Sequence, residues 1–113
     1  MMQDWNSYRD ALLARVGDYA QQSPETIRGI MALDNAAGKS GHLDPKTHEL
    51  IALAVAVTTR CDGCIAVHTK KAAGHGASLA EIAEALSVAI ALNAGAALTY
   101  SARVLEAHAQ LPE

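Results

Sequence analysis

Aromatic residues are scarce in this chain: phenylalanine is absent, and one tryptophan and three tyrosines make up 4% of the 113 residues. β-Sandwiches draw on Val, Ile, Thr and aromatic side chains, so this shortage argues against such a fold. Instead, 24 alanines and 12 leucines dominate the apolar half of the composition. Because Ala and Leu lose least on entering a helix, the composition predicts an all-α fold. The length fits one domain, residues 1–113.

A concentration of positive charge is also missing, since the formal net charge is −3. Nucleic-acid-binding domains concentrate Lys and Arg, so we expect no nucleic-acid partner. The polar N-terminus, of mixed charge, shows no secretory signal. The longest uncharged stretch, residues 85–102, is rich in Ala and interrupted by polar residues, which disfavours a membrane span. We therefore expect a cytoplasmic protein with no membrane segment.

Helix starts are marked by polar capping residues followed by proline or by an acid. With the glycines that follow, these signals divide the chain into about six helices. The third helix, which has no polar residue from 50 to 57, is predicted to be central. The start signals occur at Ser23-Pro24, Asp44-Pro45, Thr59 to Asp62, and Ser78 to Glu81.

Two of these predictions concern the site and the core. With Thr59 as N-cap, Cys61 would lie in the first turn of the fourth helix. Asn93-Ala94-Gly95 is typical of a turn, which would separate a fifth helix from a sixth. The apolar stretch 85–102 on either side of that turn is predicted to be buried.

Chemistry-bearing residues are concentrated in eight consecutive positions. The only two cysteines are Cys61 and Cys64, and His68 follows one helical turn later. At about 100° per residue, the three side chains fall within roughly 60° of one another on a helix. Without a secretory signal, this spacing indicates redox chemistry or a metal site and not a structural disulfide. Two such thiols can close a local disulfide, and His68 can accept a thiol proton.

The residues alone do not decide which cysteine is the attacking thiol or what role Glu49 has. Cys61 lies nearer the helix N-terminus, which favours a thiolate, whereas Cys64 lies nearer His68. Glu49 shares a helix face with apolar residues, and on a buried face it would suit a proton relay. At an exposed helix start it would be an ordinary surface acid, and spacing alone favours that second interpretation.

The full pattern is Glu49, eleven residues, Cys61-x-x-Cys64, three residues and His68. It resembles the alkylhydroperoxidase D and carboxymuconolactone decarboxylase superfamily over roughly residues 24–108. The resemblance implies an all-α alkylhydroperoxidase D-like fold and a thiol peroxidase that reduces hydrogen peroxide or alkyl hydroperoxides. It also implies that Cys64 attacks, that Cys61 resolves, and that Glu49 and His68 relay protons.

Further expectations follow from the same resemblance. It implies a trimeric or hexameric homo-oligomer and an external dithiol reductant of lipoyl or thioredoxin type. We expect no cofactor and no metal. The sequence departs from alkylhydroperoxidase D at Gly63, because that branch has a histidine between its cysteines.

Four alternatives remain. A general disulfide oxidoreductase would use the same residues, and a carboxymuconolactone decarboxylase-like enzyme belongs to a branch that generally lacks the cysteine pair. A structural zinc site could use both cysteines and His68, with Glu49, His48 or His75 as fourth ligand, but a second Cys/His pair is missing. A DNA-binding helix-turn-helix over residues 71–91 is disfavoured because residues 79–92 include acids and no Lys or Arg.

Overall fold

A computed structural model describes all residues, 1–113, and its regular structure is entirely α-helical. This confirms the predicted all-α class, but the number of helices is five and the expectation of six was wrong. The helices are α1 (Trp5–Gln22), α2 (Pro24–Ser40), α3 (Pro45–Thr59), α4 (Asp62–Gly74) and α5 (Leu79–Ala109).

Local side-chain hydrogen bonds explain where α3 and α5 begin. The Asp44 carboxylate accepts the Thr47 N–H at 2.7 Å and so caps α3. Ser78 and Glu81 form a reciprocal capping box at the start of α5, with N···O distances of 3.1 and 2.9 Å. Both starts agree with the sequence prediction. Ser23 is the N-cap of α2 but makes no capping hydrogen bond with its side chain.

The predicted turn at Asn93-Ala94-Gly95 does not form, and α5 runs through it without a break. A helical glycine costs only about 1 kcal/mol relative to alanine, and no proline forces a break here. The Asn93 side chain is also satisfied within the helical geometry. Its Nδ2 donates to the Ala89 carbonyl at 2.7 Å and to Thr58 Oγ1 at 2.9 Å, which ties α5 to the end of α3.

Helix α3 is the centre of the fold, as its apolar run predicted, because it packs against both α4 and α5. Helix α1 packs on α4, and α2 packs on α1. The buried residues are small apart from one leucine, which lets the helix axes approach closely. They are Leu53, Ala56, Ala66, Ala72 and Ala89.

The single chain is far from a closed globule. Its accessible surface is 8755 Å², whereas a folded monomer of this mass exposes about 5,900 Å². Its radius of gyration is 18.7 Å, against about 13 Å for a compact domain of this length. Of the apolar stretch 85–102, only Ala89 is buried, so the prediction that this stretch is buried was wrong for the chain by itself. Beyond Asn93, every residue of α5 except Gly95 is exposed.

Helix α5 is also long and apolar enough, by length and composition alone, to span a membrane. The core helix of a soluble protein meets the same two criteria. In the single chain, 6% of the most apolar 18-residue segment of α5 is buried.

Candidate functional site

The site begins at the sharp connection between α3 and α4. Arg60 ends α3 in the left-handed conformation, with φ 55° and ψ 49°, and is the only residue other than glycine with a positive φ. The N–H groups of Arg60 and Cys61 both donate to the Ala56 carbonyl. This reversal needs no intervening loop, so Cys61 is placed directly against the end of the central helix.

Cys61 is itself the N-cap of α4, which corrects the predicted capping box. Thr59 is the last residue of α3, and its hydroxyl donates back to the Val55 carbonyl at 3.0 Å. Because Thr59 still belongs to α3, it cannot be the N-cap of α4. Cys61 Sγ takes the capping role and accepts the N–H of Cys64 at 3.1 Å.

Cys61 and Cys64 are joined by a disulfide, with their Cα atoms 5.2 Å apart. The bond closes within the first turn of α4, and both residues are half-buried. On reduction, the sulfur of Cys61 would lie beside free N–H groups at a helix N-terminus, an environment that stabilises a thiolate. Cys64 lies one turn before His68 on the same face of the helix.

His68 forms a hydrogen bond with Glu49 across the interface between α4 and α3. The distance from His68 Nδ1 to Glu49 Oε2 is 2.6 Å. The Glu49 side chain is 14% exposed and that of His68 is 27% exposed. Spacing alone favoured Glu49 as an ordinary surface acid, and the structure instead places its carboxylate in a largely buried contact. A carboxylate on one ring nitrogen orients the imidazole and leaves the other nitrogen free for proton transfer.

The other histidines are not drawn into this arrangement. His48 is half-buried in the first turns of α3, and His75 is exposed at the end of α4. No group of three or more His, Cys, Asp or Glu side chains is arranged to hold a metal ion.

Sequence reasoning missed one neighbour of the site, Leu12 of α1. A Cβ atom placed on Gly63 would lie 2.8 Å from Leu12 Cδ2, so the leucine covers the turn between the two cysteines. The sequence shows that Leu12 is apolar, but it does not show which helix α1 packs on.

Comparisons with known proteins identify the family of the chain. Residues 24–107 match the Carboxymuconolactone decarboxylase family. The chain belongs to the carboxymuconolactone decarboxylase family. The match covers α2 to α4 and nearly all of α5, and so includes all four candidate site residues.

Several proteins are similar to this chain over most of their length. An uncharacterized protein of Haemophilus influenzae is 50% identical over 108 residues, which is 96% of each chain. An uncharacterized protein of the Paracoccus denitrificans cox locus is 36% identical over 92 residues, covering 81% of this chain and 83% of its own. The crystal structure of an apo carboxymuconolactone decarboxylase family protein from Legionella pneumophila superposes with a TM-score of 0.74 at 35% identity. That superposition covers 91% of this chain and 92% of the other.

Proposed function

We propose that this carboxymuconolactone decarboxylase family member is a thiol-dependent peroxidase that reduces hydrogen peroxide or alkyl hydroperoxides. The observation that carries the proposal is the Cys61–Cys64 disulfide one turn from a histidine that is hydrogen-bonded to a largely buried glutamate. A redox pair and a proton acceptor are the two components that peroxide reduction by a thiol requires.

The cycle begins with reduced cysteines. His68 takes the proton of Cys64, and the thiolate attacks the peroxide, breaking the O–O bond. The departing oxygen takes the proton from His68 and leaves as an alcohol or water, and Cys64 becomes a sulfenic acid. The sulfur of Cys61 then attacks that sulfur and the S–O bond breaks. The hydroxide leaves as water with the proton of the Cys61 thiol, and the disulfide forms. An external dithiol returns both cysteines to thiols by exchange and is itself oxidised to a disulfide.

Glu49 acts in this cycle through His68. Its carboxylate holds the ring by Nδ1, so the imidazole is oriented and its other nitrogen is left to take the thiol proton. The free cysteine pKa is about 8.5, so only a few per cent of an unassisted thiol is ionised at neutral pH. The pair therefore raises the fraction of enzyme that is ready to attack.

We also propose that the active form is a homo-oligomer of three or six chains. The exposed surface exceeds that of a compact monomer by about 2,800 Å², several times the ~800 Å² that each partner contributes to a standard interface. Helix α5 carries more of the exposed large apolar side chains than any other helix. Association of copies along α5 would supply the core that one chain lacks. We place the protein in the cytoplasm, where a dithiol reductant keeps such pairs reduced.

Steady-state turnover tests the proposed activity. Pre-reduced protein is mixed with hydrogen peroxide or a tertiary alkyl hydroperoxide, together with dihydrolipoamide or reduced thioredoxin as donor. We expect peroxide-dependent oxidation of at least one donor, with loss of turnover in Cys64→Ser. Reduction of an added disulfide without peroxide consumption would instead identify a general disulfide oxidoreductase.

A further inference from the structure

A second concave site lies between the start of α1 and the middle of α4. It is a cleft of about 470 Å³, within the range of small-molecule sites, roughly 300–1,000 Å³. None of the candidate redox residues lines it. Its apolar lining comes from Trp5, Ile65, Ala66 and Ala73.

The charged side chains that line this cleft are all positive and have no counter-ion, and its other polar side chains are those of Asn6 and Thr69. Arg9 and Lys70 both line it, and no Asp or Glu does. Neither cation forms an ion pair with a carboxylate of the chain. The cleft therefore combines an apolar surface with two unneutralised cations.

The guanidinium of Arg9 is fixed in place by uncharged partners. Its Nε donates to the Ala66 carbonyl at 3.3 Å, and its two terminal nitrogens donate to Asn6 Oδ1 at 3.0 and 2.6 Å. A guanidinium has five N–H donors, so two of them remain for another acceptor. A preoriented Arg with spare donors favours a carboxylate, which accepts charge-assisted hydrogen bonds.

We propose that this cleft binds a small organic monoanion, with its carboxylate at Arg9 and Lys70 and an apolar body against Trp5 and Ile65. A neutral molecule of the same shape would gain the apolar contacts but leave both cations unneutralised. The proposal is independent of the peroxidase cycle, because it rests on residues outside the redox site.

Trp5 makes the proposal directly measurable, since it is the only tryptophan in the chain. Octanoate is the probe, titrated into the full-length protein while tryptophan emission is followed, and octanamide is the uncharged control. We expect a saturable change with octanoate and binding of octanamide weaker by about tenfold or more, the effect of one charge-assisted contact. Added salt should weaken octanoate binding.

Lys70 and its neighbour Lys71 provide a matched pair of variants. Both are exposed, so neither substitution should disturb folding. Lys70→Gln should weaken octanoate binding about tenfold, whereas Lys71→Gln should leave it unchanged because Lys71 does not line the cleft. The proposal is overturned if octanoate gives no saturable change at millimolar concentration, if octanamide binds equally well, or if both variants behave alike. It is also overturned if Trp5 emission responds to protein dilution and not to octanoate, which would make the cleft a contact between copies.

Discussion

His68 and Glu49 form the contact on which proton transfer depends in the proposed cycle. The imidazole is positioned by a 2.6 Å hydrogen bond from another helix, so its orientation is set before substrate arrives. Removal of either partner should therefore affect chemistry more than stability, because both side chains keep some exposure to solvent.

His68→Ala or Glu49→Gln should slow peroxide reduction at pH 7 without unfolding the chain. A general acid–base contribution is worth about 10²–10⁴ in rate, and His68→Ala should approach that loss. Above the ordinary cysteine pKa of about 8.5, solvent deprotonates the thiol, so higher pH should partly restore either variant. Stopped-flow peroxide kinetics across pH measure both effects.

Exposed residues of the same types supply the controls. His75→Ala and Glu84→Gln change a histidine and an acid outside the site and should retain full rate. Full activity of His68→Ala at pH 7 would show that the helix N-terminus alone activates the thiol, and the relay would have to be abandoned.

The two cysteines should be distinguishable by trapping. In Cys61→Ser, one equivalent of peroxide should leave a sulfenic acid on Cys64, because no resolving thiol is present. A dimedone-type reagent followed by mass spectrometry locates the label. If the label forms on Cys61 in Cys64→Ser and not the reverse, the roles are inverted. The hydrogen bond from the Cys64 N–H to Cys61 Sγ is the feature that would favour that inversion.

The grouping of Cys61, Cys64 and His68 on one helix could be predicted from the sequence because the three residues lie within eight positions of one helix start. Their relative placement is then fixed by local helical geometry. The position of Glu49 was harder to predict, because its hydrogen-bond partner His68 is nineteen residues away on another helix. Its contact depends on how α3 packs on α4, and the periodicity of α3 alone cannot show which neighbour covers that face.

At the scale of helices, the packing of α1 on α4 limits the size of the residue that fits at position 63, between the two cysteines. Leu12 of α1 covers this position. A histidine at this position, as in alkylhydroperoxidase D, would place its Cβ within 2.8 Å of Leu12. Gly63→His should therefore raise the rate at neutral pH only when Leu12 can move. We expect Leu12→Ala/Gly63→His to be faster than Leu12→Ala alone, as measured by peroxide kinetics. Equal rates would show that an intervening histidine does not assist this relay.

The ion pair between Lys46 of α3 and Glu81 of α5, 2.7 Å apart, makes the α3–α5 contact sensitive to acid. Two hydrogen bonds lower the pKa of Glu81 from its usual 4.5 to about 2. The larger effect comes from the hydrogen bond with Lys46, and the next comes from the hydrogen bond with the Ser78 N–H. A lowered acid pKa means that the stabilisation is complete above the usual value and is lost as pH falls through the folded value.

Chemical unfolding as a function of pH tests this contribution. The stability difference between the natural chain and Glu81→Gln should be constant above pH 4.5 and should shrink between about 4.5 and 2. Because the pair is at the surface, the difference should be small and should decrease with salt. Glu84→Gln is the matched control. A stability difference that does not vary over this pH range would contradict the account.

The capped helix starts at Asp44 and Ser78 were more predictable than the continuity of α5 at Asn93, for a physical reason. A cap such as Asp44 or Ser78 makes hydrogen bonds within its own four residues, so the signal is local. A glycine or asparagine inside an alanine-rich segment does not by itself break a helix, so tertiary contacts decide whether the helix continues. At Asn93 the hydrogen bond to Thr58 of α3 favours a continuous helix, and no local pattern contains that information.

For the whole molecule, the uncovered face of α5 should be closed by other copies of the chain. Leu98, Val104 and Leu105 are each about 70% exposed or more in the single chain. Light scattering at micromolar concentration should therefore give a mass that is a multiple of 11.8 kDa, with three or six copies expected. A single 11.8 kDa species would reject the assembly.

Charge placed on this face provides a matched test. Leu98→Glu should shift the protein toward smaller species, because a buried unpaired carboxylate is strongly unfavourable. Glu106→Gln, which removes a charge from an exposed part of the same helix, should leave the mass unchanged. An unaltered mass for Leu98→Glu would show that this part of α5 is not a contact.

The most direct test of the redox account is the stoichiometry of a single turnover. Fully reduced protein receives one equivalent of peroxide with no donor present, and free thiols and the disulfide are quantified by mass spectrometry. We expect the loss of two thiols per peroxide, with a Cys61–Cys64 bond formed within one chain and a monomer-sized band on non-reducing gels. Retention of both thiols while peroxide remains, or disulfides formed only between chains, would contradict it.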